Sequence, residues 1–516
     1  MAVRRRKVLH KGQERARRGA PFGPGRPAKG QEKRSPMSET LQNPSAAAPS
    51  GAPRKGDSSE ALGTEPVGKM LWRLTLPAIV ASTVQAVYNL VDRLYIGRSV
   101  GTDAMAGLTL TFPYMMILAA FGVLVGVGSA AVFSIRLGQG RRDEAEKILG
   151  QVVAIKILFF LTVPLAAYIF LDETLALFGG TPQAIPWAHA YLSIILAGNI
   201  FSHLAFGLSG MMRAEGNARH AMVSMLIGAG TNIVLDPIFI YGWFGMPAMG
   251  LRGAAWATNV AMACSAGYAF WHFRSASCVV KLRLRRIRIY RGLVGPVFAI
   301  GLSPCIHHLV MSGINVVYNI SFGKWAATSA EATLYVAAVG IINGALMFGL
   351  QPAFGLMQGV QPLIGYNFGA RKPARMLRAF KMAMGWSTVA CTACAAAVWA
   401  FAPLIAKAFT AEADLVETVT WGLRVLSAGF PFIGGPFISG TYFQSVGRAK
   451  MAILLSSMRQ VLMLLPLIIA MPYLFGVRGI WYAAPASDLL SSAVIMAVVW
   501  REIRRVRRAP EFAVAE

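Results

Sequence analysis

The sequence predicts an all-α integral membrane protein with twelve transmembrane helices in two six-helix lobes, related by a pseudo-two-fold axis along the membrane normal. Three observations predict it: an apolar composition, basic residues gathered in alternate loops, and an internal duplication. Of 516 residues, 55% are hydrophobic and 14% charged, with a mean hydropathy of +0.52. Such a chain is too apolar for a soluble globule, and lipid must solvate much of it. A hydrocarbon core of roughly 30 Å needs about 20 mainly apolar residues per helical crossing. Windows of that kind recur from residue 70 to residue 500. The run VAIKILFFLTVPLAAYIFL at 153–171 is apolar on every face, whereas a spanning strand would alternate apolar and polar residues.

Helices are expected at 72–97, 105–135, 148–171, 185–212, 221–242, 253–273, 293–321, 333–364, 378–408, 416–443, 451–473 and 479–500. The links between them alternate in charge. One set holds Arg136, Arg141, Arg142 and Lys147, then Arg213 and Arg219, then seven basic residues from Arg274 to Arg291. It continues with Arg371, Lys372, Arg375 and Arg378, then Arg448 and Lys450. The other set is poor in bases and carries Asp172 and the acids from Glu412 to Glu417. The positive-inside rule makes the first set cytoplasmic, so both termini are expected in the cytoplasm and the number of crossings is even.

The net charge of +27 therefore reports topology. A nucleic-acid partner would need a basic face interleaved with aromatics, and none is seen. Residues 1–69 lack the apolar content to fold and read as a disordered basic cytoplasmic tail. No apolar h-region follows the basic start, so the tail is not a cleavable signal, and Met37 is an alternative start that would shorten it. The expected divisions are this tail, an N-lobe at 70–274, a basic linker at 275–292, a C-lobe at 293–501 and a cytoplasmic tail at 502–516. Cys391 and Cys394 form a C-x-x-C with no second pair and no His nearby, which suits helix packing better than a metal site.

The duplication sets the architecture. YNLVDRLYIGR at 88–98 corresponds to INVVYNISFGK at 314–324, with Asn89 matching Asn315 and Gly97 matching Gly323. RAEGNARHAM at 213–222 corresponds to QSVGRAKMAI at 444–453, and GLRGAAWAT at 250–258 to GVRGIWYAA at 476–484. Six helices per half, an even number, give both copies the same orientation. Two such bundles can rock about a central cleft.

YNLVDRLYIG at 88–97, NIVLDPIFIY at 232–241, the Gly-Ala-Ala-x-Ala-Thr ending at Thr258 and QGVQPLIGYNFGARK at 358–372 together resemble the multidrug and toxic compound extrusion family. The resemblance spans about residues 70 to 500 and is nearest to the DinF-like and MepA-like branches. It implies two lobes around a V-shaped cleft and export of small organic, often cationic, compounds in exchange for H⁺ or Na⁺. It also implies a monomer in the bacterial cytoplasmic (inner) membrane, with no cofactor beyond the coupling ion.

Acids inside apolar helices cost about 2.5 to 3.5 kcal/mol each at a helix centre and so mark functional sites. Asp236 stands in the middle of the fifth expected helix. Burial penalises its bare carboxylate, so that a proton or Na⁺ can compete there with a cationic substrate. Asn232 lies four residues earlier on the same helical face, and its carbonyl oxygen can join a cation site. Pro237 cannot donate to the carbonyl of Ile233 and is expected to kink the helix. Asp92 is the second acid, nearer the outer interface, with Arg93 as an unplaced neighbour. The resemblance groups a first-helix Asp with the fifth-helix Asn and Asp, and Thr258 completes that pattern. A Na⁺ site would use Asp236, Asn232 and Asp92.

The second half places Tyr318, Met463 and Leu467 at the positions of Asp92, Asn232 and Asp236, so the ion chemistry is expected in the N-lobe alone. Asp488 sits in the last helix after Pro485, and its role stays open between ion chemistry and structure. His307 and His308 are read as packing residues or proton relays. Candidate cavity residues are Asn89, Tyr318, Met115, Met211, Met347, Phe354 and Met357, since thioethers and aromatic faces accept many shapes and favour cations. An enzyme would need a His, Asp or Cys cluster at metal or nucleophile spacing, and none occurs. No G-x-x-x-x-G-K-[ST] loop supports ATP-driven export. The alternative is a flippase for lipid-linked saccharides or another amphipathic metabolite on the same two-lobe fold, which would need a basic cleft.

Overall fold

The computed structural model describes residues 58–99, 101–178, 181–275 and 278–508. The chain divides into residues 1–47 and a unit from Ala48 to Glu516, and every described residue lies in the second. All regular structure among the described residues is helical. The first half comprises α1 Ser58–Thr64, α2 Val67–Ser99, α3 Gly101–Gly138, α4 Arg142–Ile169, α5 Leu171–Leu177, α6 Ile185–Ala214, α7 Ala218–Tyr241 and α8 Leu251–His272. The second comprises α9 Arg291–Trp325, α10 Ser329–Gly349, α11 Gln351–Gly369, α12 Pro373–Phe409, α13 Ala413–Ser427, α14 Phe430–Ser445 and α15 Ala449–Ser457. A π-helical stretch Met458–Leu464, α16 Leu465–Ala470, α17 Pro472–Phe475 and α18 Val477–Arg507 follow.

Among the described residues, ten helices are long and apolar enough to cross a bilayer on length and composition alone. The other two crossings are α8, rich in Ala and other small residues, and the interrupted pair α13 and α14. The chain is thus a multi-pass membrane protein with two six-helix lobes. The expected helices 333–364 and 416–443 are broken in their interiors, at Leu350 and at Ala428–Gly429, each just before a helix that carries Pro in its first turn, while 148–171 and 451–473 are interrupted near their ends, at Phe170 and Met471. Pro352 removes the donor for the Phe348 carbonyl at the α10–α11 break, and Pro431 does the same for Ser427 at the α13–α14 break.

Glycines let the two halves meet backbone to backbone. α3 packs on α9 where a side chain on Gly128 would collide with the Val297 carbonyl, and one on Gly301 with that of Leu124. Beside Pro77, α11 lies against α2, with Gly355 on Ile79 and Gly359 on Thr75. This is the small-residue contact that brings helices close in lipid, where no hydrophobic force joins them.

Residues 58–69, expected within the disordered tail, are helical apart from a short break at 65–66, and they pack against both halves. Leu62 is fully buried in a cluster with Val67, Ala218, Leu363 and Tyr442. Polar groups at the α11–α12 corner hold this segment's backbone: Asn367 Nδ2 donates to the Leu62 carbonyl at 2.9 Å, and Lys372 Nζ to that of Gly63 at 2.8 Å. Arg375 reaches the Glu65 carbonyl at 2.6 Å, and Ser58 Oγ donates to the Glu215 carbonyl at 3.0 Å. The sequence reading fails here because a seven-residue amphipathic turn has too little apolar content to register, while its anchors lie more than 150 residues away. Asn367→Ala removes a buried amide that also accepts from Arg375. It is expected to cost about 1–3 kcal/mol, read as a lower melting temperature and faster proteolysis between residues 58 and 66. Residues 1–57 and 509–516, including Met37, lie outside the described residues; the tail expected from residue 502 is helical as far as Arg507.

Candidate functional site

α7 carries the polar site on the face it turns to α2 and α8, while Val234 on the opposite face is exposed. The helix runs through Pro237 to a left-handed cap at Gly242, whose N–H returns to the Ile238 carbonyl. Asn232 and Asp236 are both 0% exposed. Their one-turn spacing brings Asn232 Nδ2 to 3.2 Å from Asp236 Oδ1, and the same amide group donates to Thr258 Oγ1 on α8 at 3.4 Å. The structure therefore joins Thr258 to the pair. Asp92, on α2, is partly buried and is an electrostatic neighbour of Tyr88 and of Asp236.

Asp236 Oδ2 and Asn232 Oδ1 are buried without a hydrogen-bond partner, and Asp236 joins no ion pair among the described residues. Buried oxygens without a partner are costly, and a proton, a cation or another donor would satisfy them. A carboxylate, an amide oxygen and a hydroxyl are hard oxygen donors, which fit a proton or a small hard cation such as Na⁺. The Tyr241 hydroxyl donates to the Tyr95 carbonyl at 3.2 Å, and Asn259 Nδ2 to the Ile194 carbonyl at 2.6 Å. These bonds brace α7 against α2 and α8 against α6. Thr258→Val keeps the shape but removes the acceptor for the Asn232 amide, and is expected to cost about 0.5–1.5 kcal/mol, read as a lower melting temperature.

The remaining candidates scatter. Asn89 is exposed, as is Met347 at 51%, and Phe354 is half-buried and stacks on Phe437 at 5.9 Å. Met115 and Met357 are partly buried against core clusters. Met211 is 0% exposed near the end of α6 and is packed among core side chains, so it presents no surface to a substrate. Tyr318 likewise belongs to the second lobe's core, stacked on Phe322. Met463 and Leu467, the counterparts of Asn232 and Asp236, pack on apolar clusters of that lobe. The rings of His307 and His308 stand edge to face, 6.1 Å apart. The side chain of Arg93 lies outside the described residues.

The structure adds four ionisable residues absent from the sequence reading. Arg459, in the π-helical stretch, pairs with Asp488, and Ser487 Oγ donates to the Arg459 carbonyl at 2.6 Å. Asp488 is therefore held by a permanent cation rather than open to an exchangeable one. Lys156 is buried inside α4 and donates to the Gly122 carbonyl at 3.4 Å. Glu215 and His272, both fully buried, meet at 2.6 Å, and Glu215 also accepts from Asn217 and from the Val279 N–H. Lys156 and Arg459 are visible in the sequence as charges inside apolar runs. Glu215 and His272, 57 residues apart, are not.

Comparison with known proteins places this arrangement. The MatE family model matches residues 77–238 and 305–469, one match in each half. The multidrug export protein MepA of Staphylococcus aureus (strain MSSA476) is 26% identical over 440 residues, covering 84% of this chain and 94% of that protein. The MATE multidrug transporter DinF-BH, solved in complex with R6G, superposes with a TM-score of 0.80 at 32% identity, covering 88% of this chain and 99% of that one. An outward-facing MATE transporter of the MOP superfamily shares the fold at a TM-score of 0.82 and 24% identity, over 89% of this chain and all of that one. With its duplicated halves each matched by the same model, this chain belongs to the MatE, or multidrug and toxic compound extrusion, family.

Proposed function

We propose that the protein is a secondary multidrug exporter that releases small organic, often cationic, compounds in exchange for H⁺ or Na⁺ by alternating access. The carrying observation is the buried Asp236–Asn232 pair with one unpartnered oxygen on each residue. The names of the relatives support the substrate class: one is a multidrug export protein, and another is solved with R6G bound. Binding a cation at Asp236 favours one packing of α7 against α2 and α8, and a cationic substrate favours the other. Ion and substrate then compete through the same charge. The ion must bind the substrate-poor state more tightly, since equal affinity for both states would shift nothing. Asp92, Asn232 and Thr258 complete the cation site. The basic loops, with α1 among them, are assigned to the cytoplasm of a bacterial inner membrane. The glycine contacts of Gly128, Gly301, Gly355 and Gly359 hold the cytoplasmic halves of the lobes together, and the monomer is the working unit.

Lys156 is enclosed and Arg459 is paired with Asp488, so neither supplies the open basic cleft a lipid-linked pyrophosphate would require. Counterflow and driven export in proteoliposomes test the reading, with imposed pH or Na⁺ gradients and a panel of cationic and neutral fluorescent compounds. Accumulation of several unrelated cations under one of the two gradients is expected. Transport of a lipid-linked saccharide with no response to either gradient would overturn it.

A further inference from the structure

The last helix continues beyond its apolar run. The final two turns of α18 and the residue after it carry Arg501, Arg504, Arg505, Arg507 and Arg508, all exposed. Positions 501, 504, 505 and 508 follow the i, i+3, i+4, i+7 spacing that puts four side chains on one helical face. With Trp500 they line a groove of about 440 Å³, and the Arg504 guanidinium lies 3.3 Å from the centroid of the Trp500 ring. Glu502, the acid of this stretch, turns inward: it is buried, holds Arg448 at 2.6 Å and accepts from the Tyr442 hydroxyl.

None of the five arginines has a carboxylate within ion-pair distance among the described residues. In the basic linker, by contrast, two of the bases are paired: Arg283 with Glu146 at 3.5 Å and Arg286 with Asp143 at 2.5 Å. Like charges at i, i+4 destabilise a helix, and this face, without a carboxylate partner among the described residues, suits a bound anion. Its position selects which anion. The cluster follows the membrane-crossing run directly, and it begins with a Trp of the kind that settles at headgroup level. Clusters of four or more bases at that place attract anionic lipids. Guanidinium forks match phosphate oxygens in pairs.

We propose that Trp500, Arg501, Arg504, Arg505 and Arg508 form a binding site for the phosphate headgroup of an anionic phospholipid. The site is independent of the cation site at Asp236. Native mass spectrometry of the full chain in neutral detergent tests it by titrating dioleoyl phosphatidylglycerol against dioleoyl phosphatidylcholine. The wild type is expected to retain the anionic lipid at roughly tenfold lower concentration. The R501Q/R504Q/R505Q/R508Q variant should lose that preference, and R283Q/R286Q should keep it. The pair R505Q/R508Q, with a preference reduced but present, serves if the quadruple variant fails to fold. An unchanged preference in either C-terminal variant, or none in the wild type, overturns the proposal. Displacement of the lipid by millimolar inorganic phosphate as readily as by a second anionic lipid also overturns it, by making the site one for soluble anions.

Discussion

Asp236→Asn is expected to lower gradient-driven export by roughly 5- to 150-fold, the range of an ordinary coupling free energy, while leaving the protein folded. Asn has nearly the same shape as Asp and can still accept from Asn232 Nδ2, so the packing of α7 on α2 and α8 stays intact. What it lacks is a charge for a proton or Na⁺ to neutralise. The ion then has no differential affinity for the two states and cannot bias them. Export driven by a pH or Na⁺ gradient should collapse, and the melting temperature should move little or rise, because an unpaired buried acid has been replaced by a neutral amide. Full driven export by this variant would contradict the assignment.

The largest effect on stability is expected at the other lobe. Arg459 and Asp488 form an ion pair with Asp488 1% exposed. Arg459→Met should destabilise the protein by about 3–5 kcal/mol, because it leaves a carboxylate buried without its partner. The double variant Arg459→Met/Asp488→Leu removes both charges and should recover most of that loss. Gly429, at the α13–α14 break, lies so close to Asp488 that a Cβ there would collide with the carboxylate. The acid is thus fixed against a helix interruption as well as to its Arg. Melting curves of the two single variants and the double variant measure the coupling directly. Equal stability of Arg459→Met and the wild type would show that the pair contributes nothing.

The two lobes share one ancestry in sequence but differ in their charges. In the first, Asp236, Asn232 and Thr258 meet between α7 and α8 with Asp92 of α2 as a charged neighbour, and Asp236 and Asn232 each keep one buried oxygen without a partner. In the second, Arg459 and Asp488 satisfy each other, while Met463 and Leu467 stand where Asn232 and Asp236 would be. This asymmetry was legible in the sequence for the first lobe, since Asn232 and Asp236 are one turn apart and the cost of an intramembrane acid flags them without a structure. Thr258 followed from its motif, despite the lengthened loop before α8. The Arg459–Asp488 pair was not legible, because 29 residues separate the partners and a helix wheel shows each charge alone. Lys156 is visible as a lone charge in VAIKILFFL, but a single base hardly lowers a window average, so hydropathy alone passes over it. Ten of the twelve crossings stand out by hydropathy, and the even number follows from the alternation of charge between links. The breaks at Leu350 and at Ala428–Gly429 were not legible, although Pro352 and Pro431 stand beside them, because proline also occurs within continuous helices here, as at Pro77 and Pro237.

Ion release on substrate binding is the most direct measurement of the claim that one buried carboxylate serves both ligands. Purified protein in weakly buffered detergent solution is mixed with a saturating fluorescent organic cation while bulk pH, or displaced ²²Na⁺, is followed. The account predicts about one H⁺ or one Na⁺ released per wild-type molecule and none from Asp236→Asn, as reciprocal linkage at a shared charge requires. Release of neither ion by the wild type, or the same release by Asp236→Asn, would contradict it.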